Sequence, residues 1–122
     1  MGIELPVSIF KKEFTESLES LLSAMDEKDL DAVKEARKTL RQHLTQEEYS
    51  YMTWVEWKEG FARWVENKVR NKFRINENHA GRTEPYNRTT FYEAGSQLIE
   101  LIFKSNPEIL PDLEKLYSFI QQ

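Results

Sequence analysis

Residues 46–73 read Gln-Glu-Glu-Tyr-Ser-Tyr-Met-Thr-Trp-Val-Glu-Trp-Lys-Glu-Gly-Phe-Ala-Arg-Trp-Val-Glu-Asn-Lys-Val-Arg-Asn-Lys-Phe. At about 100° per residue, Trp54, Trp57, Phe61, Trp64 and Val65 fall on one arc. Tyr51, Val55, Ala62, Val69 and Phe73 fall on the arc beside it. Two adjacent apolar arcs cover about half the circumference, more than a helix resting on a single neighbour needs. Thr45 followed by Glu48 forms a capping box at the start. The stretch therefore predicts one long helix, packed by partners on two sides. Gly60 at its middle costs about 1 kcal/mol against Ala, so another element is expected to approach closely there.

Upstream, Phe10, Phe14, Leu18, Leu21, Leu22 and Met25 recur at three- and four-residue steps, with Pro6 suited to the first turn. Asp26-Glu27-Lys28-Asp29 breaks that period, and Asp26 or Asp29 can cap the next helix. Leu30, Val33, Leu40 and Leu44, with Ala36 or Arg37 between, mark this second helix, antiparallel to the first across a short link. Downstream, residues 74–88 have no apolar period and contain Gly81 and Pro85, a long loop for a small domain. Thr90 and Glu93 read as a second capping box, opening a helix with Phe91, Ala94, Gly95, Leu98, Leu101 and Ile102. Asn106-Pro107 reads as a cap with a first-turn proline. Pro111 then separates a short turn from a last helix bearing Leu113, Leu116, Tyr117 and Ile120. The expected fold class is all-α: a single domain over 1–122, a bundle of four to five helices around the long third one.

Composition narrows the function classes. The 122 residues hold no Cys, which removes disulfides, thiolate zinc sites and cysteine nucleophiles. Fifteen Trp, Tyr and Phe and 39% hydrophobic residues are too many for a disordered chain. No apolar run is long enough for a membrane span, and residues 1–10 lack the pattern of a signal peptide. A soluble, cytoplasmic protein without a membrane partner is expected. The net charge of −4 disfavours nucleic acid, although residues 61–90 hold 7 basic and only 3 acidic side chains. Arg63, Lys68, Arg70, Lys72 and Arg74 are the candidate nucleic-acid contacts in that band. Their spacing distributes them around the helix.

The sequence has no Gly-rich phosphate loop and no nucleophile elbow. His43 and Glu47 have ligand spacing on one helix face, but the Thr45 cap falls between them. His79 reads as an exposed loop residue.

The segment Trp57-Lys58-Glu59-Gly60-Phe61-Ala62-Arg63-Trp64-Val65-Glu66 resembles the Glu-Gly-Phe-Ala helix of gluzincin-type zinc metallopeptidases, the aminopeptidase-like group especially. In that family the helix follows one bearing HExxH. The resemblance implies that Glu59 is the third zinc ligand, and Glu66 matches an acidic position seven residues on. Two His and one Glu leave zinc an open position for an activated water. No HExxH occurs here; where the aminopeptidase-like spacing places it, the chain reads Ala36-Arg37-Lys38-Thr39-Leu40. The resemblance thus implies the C-terminal portion of a longer protein, incomplete as an enzyme by itself. The isolated chain would have no cofactor, and zinc would enter only with an upstream HExxH helix.

Two other readings stand beside it. One is a solvated, salt-bridged stripe of Glu56, Glu59, Arg63, Glu66 and Arg70, with acid-before-base pairs four residues apart. The other is a stand-alone helical interaction or homodimerisation domain, motivated by the width of the apolar arc. Expected partners are accordingly the protein's own upstream region, another protein or a second copy.

Overall fold

The computed structural model describes residues 12–109 and 112–122. The expectations for Pro6, Phe10 and Pro111 lie outside them. Among the described residues five α-helices form the bundle: α1 (Lys12–Asp26), α2 (Leu30–Arg41), α3 (Gln46–Lys72), α4 (Arg88–Ser105) and α5 (Leu113–Gln121), with a 3₁₀ turn at Pro107–Ile109 before α5. Among the described residues no helix is long and apolar enough to cross a membrane.

Local chemistry sets most boundaries. Asp29 caps α2, its carboxylate accepting from the Asp31 and Ala32 amides at 3.0 and 3.3 Å. The Thr45–Glu48 capping box is present, at 3.1 and 2.8 Å. α3 ends in a Schellman turn: Arg74 takes φ 60°, and the Ile75 and Arg74 amides donate to the Arg70 and Asn71 carbonyls. The start of α4 corrects the sequence. Asn87 is its cap, Thr90 is the third helical residue whose hydroxyl accepts from the Asn87 amide at 3.1 Å, and Glu93 lies one turn further on. Asp112 caps α5 through the Lys115 amide.

The core gathers Phe14, Leu18, Leu21 and Met25 of α1, Val33 and Leu40 of α2, Met52 and Val55 of α3, Ile99 and Ile102 of α4, and Leu116 and Ile120 of α5. α3 lies along α4 and α5, while α4 also meets α1 and α2. The α3–α4 seam is tightest at two glycines. A Cβ on Gly60 would stand 2.7 Å from the Gly95 carbonyl carbon, well inside van der Waals contact. The close approach expected at Gly60 is therefore made by α4.

The aromatics of α3 serve as spacers in this layer. Trp57 packs on Tyr117 at 4.7 Å and donates its indole N–H to the Leu113 carbonyl at 3.0 Å. Trp64 meets Phe103 edge-on at 4.9 Å. These side chains are half-buried, and the fully buried stripe of α3 runs through Tyr49, Met52, Thr53, Glu56, Gly60, Arg63 and Asn67. That overturns the solvated-stripe reading for Glu56 and Arg63, whose charges lie inside the protein.

Candidate functional site

Glu56 is fully buried and pairs with Arg37 of α2 at 2.5 Å; the other guanidinium nitrogen donates to the Ile120 carbonyl at 3.1 Å. Burial pushes Arg37 down, but the Glu56 carboxylate more than offsets this and holds it above its ordinary range. One ion pair thus ties α2, α3 and the end of α5.

A second buried carboxylate, Glu93 of α4, collects the loop. Its Oε2 lies 2.9 Å from His79 Nδ1 and accepts from Arg82 at 3.2 Å and Gln97 at 3.1 Å. Arg63 faces Oε1 at 3.6 Å and donates to the Ala80 carbonyl at 2.6 Å. Arg82 continues to Asp26 at 2.6 Å, joining the loop to α1. His79 is exposed as expected, yet its Nε2 lies 2.9 Å from Glu77 while Nδ1 faces Glu93, so the ring is held between two carboxylates. Asn67 receives the Asn78 amide at 2.7 Å and donates to the Asn78 carbonyl at 3.1 Å, as a neighbouring strand would. α3 therefore supplies the hydrogen bonds that residues 76–80 do not make among themselves. Glu93 has no exposed surface, so its contacts are all with the protein.

The cleft beside this loop measures about 310 Å³ and is lined by Trp64, Lys68, His79, Gln97, Glu100 and Lys104 among others. Its charges are internally matched: Lys68 and Lys104 both pair with Glu100, at 2.9 and 4.0 Å. Burial raises Glu100, but hydrogen bonds from Lys68 and Trp64 outweigh it and leave this carboxyl below its ordinary range.

The five basic candidates are not brought together. Arg63 is buried on Glu93, Lys68 is on Glu100, and Arg70 is on Glu66 at 2.7 Å. Lys72 and Arg74 are exposed at the end of α3.

Glu59 is half-buried on α3, immediately before the Gly60–Gly95 contact. Next to it on the helical wheel runs an open apolar strip: Ala62, Val65 (40% exposed), Val69 (51%) and Phe73 (68%), followed by Ile75 (52%). Ala62, Val69 and Phe73 belong to the second arc seen in the sequence and Val65 to the first; the N-terminal part of the second arc turns inward, with Val55 fully buried and Tyr51 half-buried. Glu59 and Glu66 border the strip on one side and Lys72 on the other. Among the described residues no group of three or more His, Asp or Glu could hold a metal ion, and His43 and Glu47 gain no third partner. The donors among the described residues do not by themselves make a zinc site; Glu59 supplies one carboxylate.

Sequence reasoning missed Arg37–Glu56 and Glu93. The available signal was register: Arg37 occupies the apolar slot between Val33 and Leu40, and Glu93 lies between Phe91 and Ala94. No protein-family model, no curated protein and no solved structure matches the chain.

Proposed function

We propose that this chain is the helical portion of a gluzincin-like zinc metallopeptidase, inactive by itself, in which Glu59 is the third zinc ligand. The observation that supports this is the open apolar strip beside Glu59. Three side chains at 40–68% exposure, on a helix fixed by a glycine contact, form a surface suited to another helix. In this reading a helix bearing HExxH packs there and brings its two histidines towards Glu59. The test is peptide mapping and zinc analysis of the native protein captured with an antibody against this domain. Upstream peptides containing HExxH, with about one zinc per chain as the family's site requires, are expected. A native species of 14.5 kDa without zinc would overturn the proposal. Zinc titrated into the 122-residue chain is expected to show no tight stoichiometric binding.

The same strip favours a second reading, a helical interaction or homodimerisation domain. Here light scattering of the 122-residue chain should show a dimer that Val69→Glu dissociates. A strictly monomeric chain at high concentration would remove the homodimer form of this reading.

A further inference from the structure

A different cavity, of about 250 Å³, opens between α2, α4 and α5. Its reachable apolar lining is the half-buried Leu30 and Phe119, while Leu98, Ile102 and Ile120 lie beneath them at 3% exposure or less. Its lip is cationic: Lys34, Arg37, Lys38 and Arg41 lie on one face of α2, and among the described residues no acidic side chain lines the space. The four cations are not equivalent. Arg37 is committed to Glu56 and forms a fixed wall. Lys38 pairs at 3.1 Å with Glu35, but both are more than 70% exposed, a pair worth little in water. Lys34 and Arg41 have no carboxylate partner among the described residues. Lys34 lies 5.1 Å from the Phe119 ring centre, and the Arg41 guanidinium lies 4.2 Å from that of Tyr49. The Tyr49 ring and a 3.5 Å hydrogen bond to Gln46 Oε1 hold the planar Arg41 fork at the rim without a neutralising carboxylate.

Apolar lining beside a lip on which Lys34 and Arg41 lack a carboxylate partner complements an amphipathic anion. We propose that this cavity binds a free acyl carboxylate, its tail on Leu30 and Phe119 and its head on Arg41, with Lys34 and Lys38 adding field. The proposal is independent of the metallopeptidase reading, since neither Glu59 nor the open strip of α3 takes part.

The experiment is calorimetric titration of the 122-residue chain with octanoate, 1-octanol and octylammonium, three probes of one length and different head charge. Octanoate is expected to bind at one site, roughly tenfold or more tighter than octanol, as a charge-assisted contact implies. Octylammonium is expected not to bind. Arg41→Gln, at an exposed position, should remove most of the octanoate advantage while leaving octanol unchanged. Leu30→Trp, at the half-buried mouth, should abolish both while the melting curve confirms folding. Failure of octanoate to bind, equal binding of octylammonium, or an Arg41→Gln variant with unchanged octanoate affinity would each overturn the proposal. Co-sedimentation with phosphatidylglycerol vesicles in place of octanoate binding would assign the cations to a membrane surface and overturn it equally.

Discussion

Glu56 and Glu93 are both fully buried, one from each helix of the tightest seam, yet they are held in different ways. Glu56 meets one guanidinium, Arg37, carried by a regular helix. Glu93 meets Arg63 from a helix and His79 and Arg82 from the long segment between α3 and α4. The first carboxylate fastens elements that already have their own backbone hydrogen bonds. The second orders a segment that makes few of its own. A buried ion pair is weak evidence for net stability, because desolvation consumes much of the Coulomb gain. What separates the two sites is how much structure depends on each.

The largest expected effect is therefore Glu93→Ala. It strands Arg63, Arg82 and His79 around a vacated site, and a loss of about 3–5 kcal/mol is expected. The diagnostic reading is hydrogen exchange: amides of residues 76–82 should lose protection beyond the global change. Glu93→Gln, which keeps shape and some hydrogen bonds, should show the same local loosening with a smaller drop in denaturation midpoint. Glu56→Ala should cost a comparable amount, towards the lower end of that range, since only Arg37 is left unpaired. Its loosening should appear in α2 and α5, with residues 76–82 unchanged relative to the rest. If both variants loosened the same amides, the two sites would not be separate devices.

This division also marks how far the sequence could be read. A bundle of four to five helices, the cap at Thr45 and the glycine contact were legible, and the α2 cap was narrowed to Asp26 or Asp29, because each rests on chemistry within a few residues or on a plain cost such as Gly60 mid-helix. The stripe Glu56–Glu59–Arg63–Glu66–Arg70 does share one face, but periodicity does not say what covers a face. Residues 76–82 cover part of it, and having no apolar pattern they gave no sign that they would pack. Arg63 is drawn inward by Glu93, thirty residues away, so the expected Glu59–Arg63 pair yields to a long-range one. Glu66–Arg70 forms as its spacing predicts, and Asn78 and Asn76 of the loop add hydrogen bonds to it without displacing the pair. At the candidate site, Glu59 could be singled out from its resemblance. The outward turn of Val65, Val69 and Phe73 could not, since an apolar arc reads the same whether the chain buries it or leaves it open.

A smaller change should act on one side of the comparison through the backbone. A Cβ at Gly95 would collide with the Glu56 carbonyl and stand 2.7 Å from its Cα, so α3 and α4 must separate there. Gly95→Ala is expected to cost about 1–3 kcal/mol as overpacking, less whatever helix propensity returns. At this chain length that is a melting-point drop of roughly 4–12 °C. The shift falls on Glu56, so loss of protection should track the Arg37 side. Equal loosening around His79 would mean that the seam moves as one body.

The mildest perturbation is acid, and its sign is set by two carboxylates on the loop side. The Arg70 hydrogen bond holds Glu66 below its ordinary value of 4.5, against the opposing effect of burial, and Asn78 of the loop adds to it. Glu100, beside the same loop, is held below that value by Lys68 and Trp64. A carboxyl whose folded value is depressed contributes its full stability above the unfolded value and loses it as pH falls through the folded one. Stability should therefore be flat above about pH 6 and decline below the ordinary carboxylate value. Glu66 is well exposed and solvent screens its pair, so the decline should begin as a local event. Arg37 stays charged throughout, because its value is raised from an already high one. Hydrogen exchange between pH 5 and 3, corrected for the intrinsic rate, should show residues 76–80 opening before α2. Added salt should reproduce part of that opening at neutral pH, because the Glu66–Arg70 pair is screened and the buried Arg37–Glu56 pair is not. Simultaneous opening of both sides in acid would show that the loop shares the stability of the core and that the two carboxylates differ only in their neighbours.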